Sequence, residues 1–145
     1  MDLNAIQRGA YGLGMESDRL TRLAVLAFGA YHLAIGLFLA VAPHLFFRTL
    51  GGFGAYNRHY AEDNATFELA LGGGLLAAAG RPSWRAPLLV VTAAQGVLHA
   101  VNHVVDVVNA HPAWIGVFDA ASLASFAAAA VWTAWAAIRP RAVAR

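Results

Sequence analysis

Four apolar stretches divide this chain, each broken off by glycine, proline or charge. Residues 23–42 hold no charge, 65–80 hold Glu68 near their start, 86–105 hold a run of amides and imidazoles, and 113–138 hold Asp119 in their second turn. A helix needs about 20 residues, rising about 1.5 Å each, to cross the hydrocarbon core of a bilayer. Three stretches reach that length comfortably, and the second does so if its helix starts near Glu62. Lipid offers no partners to backbone N–H and C=O groups, so spans of this kind must be helical. The pattern predicts an all-α fold: a four-helix transmembrane bundle with spans at about 20–42, 62–80, 86–106 and 113–138. Residues 1–19, with Gly9, Gly12, Gly14 and mixed charges, read as a loose or amphipathic lead-in. Residues 20–139 form one transmembrane domain, and 140–145 a short basic tail.

The punctuation between spans is specific. Ala40-Val41-Ala42 has the small-x-small form of a signal cleavage site, but the apolar run is too long and Pro43 follows directly, so the span is expected to stay. Pro43 ends the first helix, and Gly51-Gly52-Phe53-Gly54 makes 43–64 a long outer connection of the kind that folds over a surface or acts as a lid. Asp63 and Asn64 have the chemistry of N-caps for the second helix. Gly72, Gly73 and Gly74 give that helix a small-residue packing face, and Ser122 and Ser125 help to do so on the fourth.

Composition sharpens the picture. The chain is 59% hydrophobic and 12% charged, where soluble domains carry about a quarter charged residues. Every basic residue is Arg, and there is no Cys, which excludes disulfides, thiolate metal sites and dithiol redox chemistry. Arg8, Arg19, Arg22, Arg81, Arg85, Arg139, Arg141 and Arg145 fall on one side of the four spans, and only Arg48 and Arg58 on the other. The positive-inside rule then places both termini in the cytoplasm, as in a multi-pass protein of a bacterial-type inner membrane. Trp84, Trp132 and Trp135 fall near the inner interface and Trp114 at the outer one. The Arg sit between apolar segments instead of forming a patch, so the expected partner is lipid and not nucleic acid. Acids and histidines gather on the outer half.

The run Phe67-Glu68-Leu69-Ala70-Leu71-Gly72-Gly73-Gly74-Leu75-Leu76, followed by Gly80-Arg81-Pro82, resembles small bacterial four-helix membrane proteins of the DoxX-like kind. The resemblance covers residues 67–82 and the four-span layout. It implies a four-helix bundle and assigns no catalytic residue.

The third stretch carries the chemistry. Gln95, His99, Asn102, His103 and Asp106 recur at spacings that place them on one helical face. Such a stripe in a membrane helix is costly unless it meets a partner helix, water or an ion. His99 and His103, with Asp106 one turn on and Glu68 and Asp119 at similar depth on facing helices, could hold a divalent transition metal such as Zn, Fe, Cu or Mn. The alternative is a metal-free seam of interhelical hydrogen bonds that shares or relays protons, in a small carrier or a subunit of a larger membrane complex. Glu68–His103 and Asp119–His99 are the pairs that the spacing suggests. His32 lies deeper, level with Gln95; a haem held by His32 and His99 is disfavoured. His44, His59 and His111 fall in outer loops. No phosphate-binding Gly loop with its Lys, no Gly-x-Ser-x-Gly elbow and no Glu-x-x-His pair is present. No substrate is named, and homo-oligomerisation stays open.

Overall fold

The computed structural model describes the backbone of residues 3–139 and the side chains of 17–139. Arg141, Arg145 and the rest of the basic tail lie outside the described residues, as do the side chains of lead-in residues 1–16. Within the described residues every regular element is a helix: α1 (Leu3–Val41), α2 (Pro43–Thr49), α3 (Arg58–Ala79), α4 (Pro82–Val105), a 3-10 turn (Val107–Asn109) and α5 (Ala113–Ile138). Three segments are long and apolar enough to cross a membrane: Ser17–Val41 of α1, Pro82–Val105 and Ala113–Ile138. That marks the chain as a membrane protein. Helix α3 has the length but carries Glu62, Asp63 and Glu68, and falls short of the same measure.

Several boundaries differ from those read along the sequence. Helix α1 runs back to Leu3 through the stretch expected to be a lead-in. Helix α3 starts at Arg58, one turn before Glu62. Its N-cap is Asn57, whose side chain accepts from the Tyr60 N–H at 3.1 Å, and not Asp63 or Asn64. Those two lie inside the helix, where Asn64 donates to the Tyr60 carbonyl instead. Helix α4 starts at Pro82, because proline fits the first turn, where no intrahelical N–H partner is needed. It ends at Val105, which leaves Asp106 as its C-cap. The 43–64 connection contains helix α2 and so has less irregular backbone than its glycines suggest.

Helices α1 and α3 pack along one another, as do α4 and α5, and the two pairs close on a shared core. The α1–α3 approach is tight. A Cβ on Gly72 would lie 2.8 Å from the Leu33 backbone nitrogen and 3.0 Å from the Gly29 carbonyl oxygen. Glycine therefore sets the spacing, as in close membrane helix pairs. The core itself is apolar: Val25, Leu75, Ala78, Leu89 and Ala130 are fully buried and continuous with Ala24, Leu71, Ala93 and Ala134. Phe126 closes its top, with its ring edge-on to Phe28 and to His32 and against Gly96. The buried hydroxyls of Thr92 and Thr133 bond to carbonyls one turn back on their own helices, and so place no unpaired polar group there.

At the end of the core where α3 turns into α4, Arg85 is buried. Its Nε donates to the Ala78 carbonyl at 3.1 Å, Nη2 to the Ala79 carbonyl at 2.8 Å, and Nη1 to Asp18 Oδ1 at 2.8 Å. These carbonyls end α3, where the regular helical ladder runs out of donors; the Ala78 carbonyl also accepts from the Arg81 N–H at 3.1 Å. One guanidinium thus caps α3 and ties it to α1.

Candidate functional site

Beyond Phe126 the interior becomes polar. Glu68 lies ten residues into α3 and His32 nine residues before the end of α1, so both sit about 15 Å from the α1–α3 connection end of their helices. His32 Nδ1 lies 2.6 Å from Glu68 Oε2, a short hydrogen bond between the two side chains. The two side chains are 1% and 11% exposed. The Gly72–Leu33 contact lies one turn from Glu68 and one residue from His32, and brings the two helices close enough for this pair. His32 Nε2 is buried without a partner.

A second polar line runs along α4 and crosses to α5. Gln95 Nε2 lies 3.3 Å from His99 Nδ1, His99 Nε2 lies 3.0 Å from His103 Nε2, and His103 Nδ1 lies 3.7 Å from Asp119 Oδ2. The two imidazoles are nearly parallel, 13° apart, with centroids at 4.8 Å. One assignment of protons complements Gln95, His99 and His103 Nε2, while the 3.7 Å from His103 Nδ1 to Asp119 is longer than a hydrogen bond. The Gln95 amide donates to His99 Nδ1, which puts the His99 proton on Nε2; that proton is donated to His103 Nε2; and the His103 Nδ1–H faces the Asp119 carboxylate. The reversed assignment works equally well once the Gln95 amide turns and Asp119 carries the proton. The line has two polarities of similar bonding.

The structure thus brings together Gln95, His99, His103 and Asp119, and separately His32 with Glu68. Both pairings differ from those that the spacing suggested. Glu68 meets His32 because α3 starts earlier than expected and carries Glu68 deeper. Asp119 meets His103 and not His99. Asp106 stands apart: it lies beyond the last turn of α4, is exposed, and accepts from the Asn109 side-chain amide at 3.1 Å. Asn102 is exposed as well.

The fit to a metal is partial. The His99 and His103 Nε2 atoms converge to a separation that one ion with bonds of about 2.0–2.1 Å could bridge. Among the described residues, however, no three His, Asp or Glu side chains gather around one point, and catalytic zinc sites use three protein ligands.

Sequence reasoning missed Arg85, which it counted only as an inner charge, and Phe53, whose ring sits edge-on to His103 with centroids at 4.7 Å. The glycines flanking Phe53 were the available signal for the second.

No protein-family model, no curated protein and no solved structure matches the chain.

Proposed function

We propose that this is a four-span membrane protein, with both termini on the cytoplasmic side of a bacterial-type inner membrane, whose outer half shares protons along Gln95, His99, His103 and Asp119. The observation that carries the reading is the 3.0 Å approach of the His99 and His103 Nε2 atoms. Two neutral imidazoles can meet there only if one donates and the other accepts, so the shared proton fixes both tautomers. Burial of one partner helix's carboxylate beside them gives the line a group that can take the proton up.

Counting α3 as the fourth span rests on its side chains. Glu62 and Asp63 lie in its first two turns, at the outer end, and the deeper Glu68 is paired with His32. An intramembrane acid with its partner in place costs far less than a free one. Arg81 over the Trp84 ring and Arg139 over the Trp135 ring, at 4.7 and 3.1 Å, fit cationic and aromatic anchors at one interface. The DoxX-like resemblance of residues 67–82 and of the four-span layout belongs to the same proposal. Assembly with further copies or with a larger complex belongs to the same proposal, and nothing in the site depends on it.

Nitrogen-15 spectra of imidazole-labelled protein test the proton reading. The expected result is one Nε2–H shared between His99 and His103, and its redistribution in Asp119→Asn. An Nε2–H on each ring would overturn it.

The converging Nε2 atoms also favour a second reading, a divalent transition metal on His99 and His103 with Asp119 behind them. Elemental analysis of purified protein separates the two. About one metal ion per chain, lost in His99→Ala/His103→Ala, would replace the proton line with a metal site.

A further inference from the structure

The two ends of the polar region are closed in very different ways. Towards the Arg85 end lies the apolar core, several side chains deep, with Val25, Leu75, Leu89 and Ala130 fully buried and its hydroxyls bonded to their own helices. Nothing polar in it continues the line. At the other end lies a single layer. Phe53 stands edge-on to His103, and the backbone around it is pinned to the α4–α5 connection by one attachment: the His111 N–H donates to the Gly52 carbonyl at 2.8 Å, which pairs Phe53 with Ala110 in an isolated antiparallel bridge.

This attachment needs glycine. A Cβ on Gly52 would lie 2.5 Å from the His111 carbonyl oxygen, and the backbone of Gly54 is left-handed, with φ +64°. The segment is short, irregular and held by few bonds, which is the character of elements that open locally while the fold persists. Beneath it the His103 side chain keeps 20% of its surface exposed, but its Nδ1, 3.7 Å from Asp119 Oδ2, has no contact with solvent.

We propose that residues 50–57 form a cap over the His103 end of the line, with Phe53 as the sealing side chain. The line exchanges protons with the outer aqueous phase only when this cap lifts, and it ends blind at the apolar core. The role of the cap in exchange rests on the proton reading above; the cap itself does not. The compartment opens to one side, so it loads and unloads protons from outside and offers no fixed path across the membrane.

Acylation of histidines by diethyl pyrocarbonate, followed residue by residue by mass spectrometry on the full chain in detergent, tests the cap. Three histidines calibrate one another: His59, whose side chain is 85% exposed, the capped His103, and His32, which is 1% exposed. In the native chain His103 reacts slowly beside His59. Phe53→Ala removes the seal, and Gly52→Ala keeps Phe53 but pushes the loop off His111. Each is expected to speed His103 by about tenfold or more, the factor for about 1.4 kcal/mol of lost closing free energy, while His32 and His59 keep their rates. His103 reacting as fast as His59 in the native chain would overturn the cap. So would unchanged His103 rates in both variants, or His32 accelerating in step with His103. None of these outcomes depends on whether His99 and His103 share a proton, so failure of the cap and failure of the proton reading stay distinguishable.

Discussion

His32 and Glu68 face each other at 2.6 Å across the α1–α3 interface, one residue and one turn from the point where Gly72 lets the two backbones touch. Removing one partner leaves the other buried without its hydrogen-bond partner. Glu68→Ala and His32→Ala are each expected to cost about 3 kcal/mol, the scale measured when a buried pair loses one member. Replacing both with Leu should recover most of that loss. Thermal unfolding in detergent of the two single variants and the double variant checks this; equal losses for all three would contradict it.

The neighbouring glycines of α3 should behave oppositely. Gly72→Ala drives a Cβ into the α1 backbone and is expected to destabilise by about 1–3 kcal/mol, as overpacking does. A Cβ on Gly73 meets nothing within 4 Å. Gly73→Ala is therefore expected to be neutral or to stabilise by up to about 1 kcal/mol through helix propensity. Comparing the unfolding temperatures of the two variants decides the point.

Arg85 should not tolerate Lys. Its Nε and two Nη atoms serve acceptors on α3 and α1 at once, and an ammonium cannot reproduce that fork. Arg85→Lys is expected to cost about 1–3 kcal/mol by leaving a helix-end carbonyl unpaired. The Asp18 side chain is 49% exposed, so Asp18→Asn should cost less than about 1 kcal/mol. Denaturation of both variants tests the order.

Topology can be read with single cysteines, because the chain has none of its own. Tyr56→Cys is expected to react with a membrane-impermeant maleimide from outside intact cells. Arg81→Cys should react only after the membrane is opened. The reverse pattern would invert the protein, and reaction of both from outside would remove α3 as a span.

The sequence made the helical class and the His99–His103 pair legible, for separate physical reasons. Apolar length alone dictates helices in lipid, and i, i+4 spacing dictates a shared face whatever lies opposite. What lies opposite depends on where each helix starts, and that was misjudged by a single turn. Asn57, not Asp63, caps α3, and the shift carries Glu68 down to His32. Asp106 left the stripe because α4 stops at Val105. Arg85 was hidden because its partners are main-chain carbonyls, which no side-chain pattern records. Phe53 was hidden because its contact with His103 joins residues fifty apart through an irregular loop.

The unequal character of the helices bears on how the protein enters its membrane. Helix α3, with its acids, is the poorest candidate for insertion alone, and the ribosome delivers it second. By then α1 has emerged, with His32 ready to receive Glu68 and Gly29 and Gly36 ready to receive the α3 backbone. On the four-span reading proposed above, the first two long helices suit entry as a hairpin, in which the earlier one lowers the insertion cost of the later. Loss of His32 would then show first as poor assembly during synthesis, before any defect at the site itself.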